Sequence, residues 1–186
     1  MLDKYAEEKK FELTEENGFD GLGRPLWDYY FISMAFLIAQ RSLDESTKYG
    51  AIVVSNDNTI LSIGYNGPPR GCNDRNVPQN RPEKYLWFLH AEEAAIVNAA
   101  RNGACLKESI FYITGAPCAR CVRKMINVGV KKIIYGGVNS KCLCDDDRIA
   151  IEQMMRGKDI EVIKIEEKDS LINIMKNTID YIEKKS

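Results

Sequence analysis

One histidine, His90, is all that this 186-residue chain contains. Any chemistry that needs imidazole must therefore be built around that residue. An excess of charge is missing too: 26 Lys and Arg stand against 27 Asp and Glu, a net charge of −1. There is no basic footprint for gripping a long polyanion, which argues against a nucleic-acid partner. A mononucleotide needs only a few local cations, so the balance favours a small-molecule substrate. No apolar run is long enough to span a bilayer. Residues 1–18 are charged and lack the apolar core of a signal peptide. With neither membrane nor secretion indicated, the six cysteines read as thiols of a reducing, cytoplasmic setting rather than as disulfides. No internal repeat or linker divides the chain, and 45% hydrophobic content is enough for one compact core.

Residues 1–24 form a polar arm, expected either to be loosely ordered or to pack on a neighbouring subunit, and residues 25–186 form the domain proper. Apolar side chains at Phe31, Met34, Ala35 and Ile38 recur at helical spacing and predict a helix over 27–41, with Pro25 suited to its start. Two β-rich runs, 51–55 and 59–64, flank the turn residues Asn56-Asp57-Asn58 and predict an antiparallel hairpin. Residues 65–69, with Gly67 and two prolines, must leave the sheet, and 70–85 has no periodicity. A loop of that length in a compact domain is usually functional or disordered. Helices over 90–102, 118–128 and 145–155 then alternate with strands over 109–114, 131–135 and 160–165. A last helix carries Leu171, Ile174, Met175, Thr178, Ile179 and Ile182 on one face. An initial hairpin followed by alternating strands and helices predicts a three-layer α/β/α domain on a mixed sheet, the last three strands parallel. Strand order is not readable.

The chemistry concentrates between His90-Ala91-Glu92 and Pro117-Cys118-Ala119-Arg120-Cys121. One imidazole and two thiolates are a nitrogen-and-sulfur ligand set that suits Zn2+. Structural zinc sites are usually closed by four protein ligands, whereas catalytic ones keep a position for water. Three ligands beside a carboxylate thus predict a metal-bound water with Glu92 as its proton carrier. A redox pair at Cys118 and Cys121 is the plainer reading of CxxC, but it leaves His90 and Glu92 without a role.

HxE paired with PCxxC is the signature of zinc nucleobase deaminases. Further stretches, Ala39-Gln40-Arg41-Ser42, Thr47-Lys48-Tyr49-Gly50-Ala51, Gly64-Tyr65-Asn66-Gly67 and Lys84-Tyr85, resemble the deoxycytidylate branch of the cytidine and deoxycytidylate deaminase family. The likeness covers roughly residues 27–137. It implies a five-stranded sheet with zinc held between two helix N-termini. It also implies hydrolysis of dCMP to dUMP and ammonia, supplying dUMP for thymidylate synthesis. By the same resemblance the Ala116 carbonyl accepts the amino group, the Ala91 amide lies by the attacking oxygen, and Asn66 bonds the deoxyribose hydroxyl. Arg41 is a candidate for the 5′-phosphate. Many members are hexamers activated by dCTP and inhibited by dTTP. Here the effector loop would be Tyr65, Asn66, Gly67, Pro68, Arg70 and Asp74, with Mg2+ accompanying the triphosphate. The family usually carries asparagine two positions after the catalytic glutamate, where this chain has Ala94. That departure bears on substrate preference and effector response. A second zinc at Cys142-Leu143-Cys144 is disfavoured, since only two ligands are present and no histidine is spare. Rival readings are a deaminase of another or C5-modified cytosine nucleotide, and a non-catalytic nucleotide-sensing zinc protein.

Overall fold

The computed structural model describes residues 18–137, 144–166 and 168–185. The stretch Cys142-Leu143 lies outside the described residues. Helix α1 spans Trp27–Ala39, and the hairpin is β1 (Gly50–Val54) with β2 (Ile60–Tyr65). Then come α2 (Ala91–Asn102), β3 (Ile110–Ile113), α3 (Ala119–Asn127) and β4 (Lys132–Gly136). The chain finishes with α4 (Asp145–Met155), β5 (Glu161–Ile165) and α5 (Lys168–Lys185). These strands form one five-stranded sheet of order β2-β1-β3-β4-β5. β1 pairs antiparallel with both β2 and β3, whereas β3, β4 and β5 run parallel. The mixed sheet and three layers expected from the pattern are therefore present.

Period-2 alternation along the strands sends side chains to two cores. On one face Ile52, Val54, Tyr112 and Ile134 meet Phe31, Ile32 and Ala35 of α1 and Ile174 of α5. On the other, Ala51, Val53, Phe111, Ile113 and Ile133 meet Ala91, Ala95 and Ala99 of α2, Met125 of α3 and Ile151 of α4. Small alanines let α2 lie close on the hairpin, and Gly64 completes the approach: a Cβ there would collide with the Ala91 carbonyl oxygen and the Ala95 nitrogen. That contact fixes where α2 begins. Gly103 ends the same helix in the left-handed region, at φ 70°, as a helix C-terminus favours.

Three details depart from the sequence pattern. Helix α1 stops at Ala39, and the N–H groups of Gln40, Arg41 and Ser42 bond the carbonyls of Leu37, Ile38 and Ala39 in a tighter final turn. Tyr65 stays in the sheet opposite Gly50, so the chain leaves one residue later than expected. On α5 only the first half of the apolar face is covered. Ile174 is buried, whereas Ile179 and Ile182 are 54% and 58% exposed. Of the N-terminal stretch, Gly18 packs against Tyr29 and Ser170 and accepts a hydrogen bond from the Leu26 amide. Among the described residues no helix is long and apolar enough to cross a membrane.

Candidate active site

Two helix starts converge. His90 is the residue that precedes α2 and Cys118 the one that precedes α3, both with extended backbone. The His90 carbonyl accepts the amide of Ala94, and the Cys118 carbonyl accepts those of Cys121 and Val122, so each helix is nucleated from the ligand residue itself. Asp147, in the first turn of α4, accepts the Ala119 N–H at 3.0 Å and so caps α3 from a neighbouring helix. Its carboxylate serves α3 as well as the dipole of its own helix.

His90 Nδ1 lies 3.5 Å from Cys118 Sγ and 3.4 Å from Cys121 Sγ. All three ligand atoms fall within 4.8 Å of one another, and among the described residues no other trio of potential metal ligands comes together in this way. A tetrahedral centre with bonds of about 2.3 Å to sulfur and about 2.0 Å to nitrogen sets neighbouring sulfur and nitrogen roughly 3.5 Å apart. The donor set and its spacing fit zinc. Electrostatics agree. The Cys118 thiol is pulled down to about 3, chiefly by a hydrogen bond from Cys121, with His90 assisting against burial. The same contact, together with burial, pushes the Cys121 thiol up. His90 is raised, first by its bond to Cys118. The two thiols are thus driven in opposite directions, and a divalent cation would accommodate both as thiolates.

Glu92 is only 5% exposed and lines the same cavity as His90, Ala91 and Cys118, a space of about 230 Å³. Burial, the largest cause, pushes its carboxyl above the ordinary range, the setting that lets a carboxyl both hold and release a proton. Ala116 and Asn66 also line the cavity, so six of the expected site residues, Glu92 included, share it. Cys121 is buried beside it. Arg41 does not line it, and neither do Tyr65, Gly67, Pro68, Arg70 or Asp74. Of these, Gly67 neighbours the wall residue Leu89. Gly67 exchanges two backbone hydrogen bonds with Leu89, at 3.1 and 2.8 Å, and Arg70 donates to Asn98 of α2 at 3.2 Å.

Several wall residues were not singled out from the sequence. Asp44 and Lys84 form an ion pair at 2.8 Å, and Lys84 is 3% exposed. Burial alone would push the Asp44 carboxyl up, but bonds from Lys84 and from the amides of Ser46 and Thr47 outweigh it and hold Asp44 below its ordinary value. Arg81, Tyr85 and Arg120 complete the polar wall, with the Arg81 guanidinium 5.9 Å from the centre of the Tyr85 ring. Lys84-Tyr85 carried a family likeness in the sequence but no role, and nothing marked Asp44.

Comparison with known proteins places these features in a wider group. Residues 25–137 match the model of the cytidine and deoxycytidylate deaminase zinc-binding region. Deoxycytidylate deaminase of Mus musculus is 41% identical over 115 residues. That stretch is 59% of this chain and 64% of the mouse protein, less than two thirds of the relative's length. The crystal structure of dCMP deaminase from the cyanophage S-TIM5 in apo form superposes with a TM-score of 0.59 at 30% identity, covering 74% of this chain and 96% of that one. The same phage enzyme in complex with dCMP and dUMP gives a TM-score of 0.57 at 30% identity, covering 73% and 94%. With the zinc-binding region matched from before α1 to the end of β4, and His90, Cys118 and Cys121 brought together within it, this chain belongs to the cytidine and deoxycytidylate deaminase family.

Proposed function

We propose that the protein is a zinc-dependent deaminase that converts dCMP to dUMP and ammonia in the cytoplasm. The observation that carries this reading is the buried Glu92 carboxyl in the cavity formed beside His90, Cys118 and Cys121. The phage relative's complex with dCMP and dUMP supports the substrate class. His90, Cys118 and Cys121 would hold zinc, which when bound lowers the pKa of water toward about 7. Glu92 takes a proton from the attacking water and delivers it to N3 of the cytosine ring, then carries the water's second proton, from the new hydroxyl on C4, to the departing amine. The Ala91 amide steadies the developing oxygen and the Ala116 carbonyl accepts the amino group, orienting C4 for attack.

The 5′-phosphate needs cations, and the cavity wall holds three: Arg81, Lys84 and Arg120. Lys84 is neutralised by Asp44, whereas Arg81 and Arg120 have no carboxylate partner among the described residues. They, and not Arg41, are the phosphate readers in this proposal. Each charge-assisted contact is worth about 1.5–3 kcal/mol, or roughly ten- to a hundredfold. The expected result is that dCMP far exceeds deoxycytidine in kcat/KM, and that Arg81→Gln and Arg120→Gln erode this preference while Arg41→Gln does not. Dependence on Arg41 alone would return the role to it. Ammonia release measured across dCMP, CMP, deoxycytidine and 5-hydroxymethyl-dCMP tests the activity itself. Turnover of the modified nucleotide in preference to dCMP would shift the substrate assignment.

Regulation belongs to the same proposal. The turn at Tyr65, Gly67, Pro68, Arg70 and Asp74 would take dCTP as activator or dTTP as inhibitor, with Mg2+ on the triphosphate, in a homo-oligomer of hexameric type. The Gly67–Leu89 bridge supports it, because it ties the turn to the residue before His90. An effector that binds two arrangements of the turn unequally shifts their populations. A coupling of about 1–3 kcal/mol gives 5- to 150-fold in affinity. The expected kinetics in dCMP are sigmoidal, made hyperbolic by dCTP, and Arg70→Ala weakens that response. Hyperbolic kinetics indifferent to either triphosphate would remove regulation and leave the deaminase reading intact.

A further inference from the structure

Helix α3 opens on a candidate metal ligand, and that leaves it without a cap of its own. A residue in the place of Cys118 normally turns a side-chain oxygen back to accept an amide of the first turn. Cys118 makes no such bond. Its Sγ lies instead 3.5 Å from His90 Nδ1. The bonds internal to the helix begin at the Cys118 carbonyl, which accepts the amides of Cys121 and Val122. They hold the oxygen side of the peptide between Cys118 and Ala119 and do nothing for its N–H. That N–H is one of the donors an α-helix leaves unpaired at its start. Asp147 Oδ1 accepts it at 3.0 Å.

Asp147 is itself held in place. It lies in the first turn of α4, where the helix dipole favours a carboxylate. Its second oxygen, Oδ2, accepts the Cys144 thiol at 3.5 Å, so both oxygens are engaged. Asp145 and Asp146 share the same turn and are exposed. Of the three acids, only Asp147 lines the cavity beside Cys118, and among the described residues only Asp147 bonds α3. It is not one of the three residues that come together as potential ligands. Its reach is to the backbone of a ligand residue, not to the metal position.

We infer that Asp147 is a positioning residue for the metal centre: by fixing the amide that follows Cys118, it holds that thiolate where His90 and Cys121 share an ion with it. This rests on the proposed reading in which the trio holds zinc. Residues that bond a ligand rather than the metal orient that ligand, and losing one typically lowers metal affinity by about 10–100-fold. Without the acceptor, the first amide of α3 has no partner and the opening turn loosens. The peptide after Cys118 can then rotate, and Sγ moves with it. Charge is not what the bond requires, since an amide oxygen in the same place accepts the same N–H.

The test is the zinc affinity of the folded protein, read by competition with a chromogenic chelator. Asp147→Ala is expected to bind zinc about 10–100-fold more weakly than the parent. Asp147→Asn, which keeps the acceptor and drops the charge, should stay within about threefold. So should Asp145→Ala and Asp146→Ala, which remove a like charge from the same turn. A merely structural role would lower the stability of the metal-free chain and leave zinc affinity alone. Parent-level affinity in Asp147→Ala therefore overturns the inference. An equal loss in Asp147→Asn, or in either neighbouring variant, overturns it too, because the effect would then be one of charge. One check needs no variant to fold: in the zinc-loaded parent the Ala119 amide should exchange slowly with solvent. Exchange as fast as that of an exposed amide contradicts the bond on which the inference stands. A parent that binds no zinc removes the zinc reading and the inference with it, whereas a parent that binds zinc no better than Asp147→Ala removes the inference alone.

Discussion

Replacing Glu92 by glutamine is expected to lower dCMP turnover by about 10²–10⁴-fold while leaving zinc content per chain unchanged. The reason is the division of labour in the cavity. His90, Cys118 and Cys121 could together hold a metal ion, and Glu92 is not one of that trio. Its carboxyl is buried, and burial pushes it above the ordinary range, the direction that suits a proton carrier. An amide of the same shape fills the same space, keeps the neighbouring contacts and cannot carry a proton. Metal analysis of the variant beside its steady-state turnover separates the two roles. Turnover within tenfold of the parent would remove Glu92 from the mechanism. Loss of zinc together with activity would instead make Glu92 a support for the ligands.

Lys84→Met is expected to cost about 3–5 kcal/mol of folding stability at neutral pH, the usual penalty for stranding one partner of a buried pair. Lys84 is 3% exposed and Asp44 6%, so water cannot replace the lost ammonium. The pH dependence follows from Asp44. Its carboxyl is held below the ordinary value in the folded chain. Its contribution is therefore fully present above the unfolded value of about 3.9 and is lost as pH falls through the lower folded one. In Lys84→Met the share of that depression that Lys84 supplies is lost, while the Ser46 and Thr47 amides keep theirs. The gap in stability between parent and variant should be widest near neutrality and close as the medium is acidified below about pH 4. Denaturant titrations at several pH values read this directly. A constant gap across the range would mean that the loss comes from packing rather than from the charge.

Much of the frame was legible because it rests on local chemistry. The alanine-rich run ending at Gly103 became α2, with the glycine in the left-handed turn. Asn58 takes φ 64° at the hairpin turn expected of Asn56-Asp57-Asn58. Parallel pairing of β3, β4 and β5 followed from the handedness of crossovers. The order of the strands did not, because it depends on which edges meet after the helices have packed. The ligand trio was readable because its residue types leave few alternatives. By contrast, Asp44 and Lys84 lie 40 positions apart, the latter in a stretch without periodicity, and only the folded loop joins them. Arg41 was a phosphate candidate because a guanidinium matches phosphate geometry, and the cations that line the cavity are Arg81, Lys84 and Arg120. On α5, periodicity marked an apolar face that is buried at Ile174 and exposed at Ile179 and Ile182.

The most direct test of a zinc-dependent dCMP deaminase is to strip the purified protein of metal with a chelator, titrate zinc back and follow dUMP formation from dCMP at each step. The account predicts no dUMP from the stripped chain and a rate that rises with zinc until one ion is bound per chain. Full zinc occupancy with no dUMP formed would contradict it.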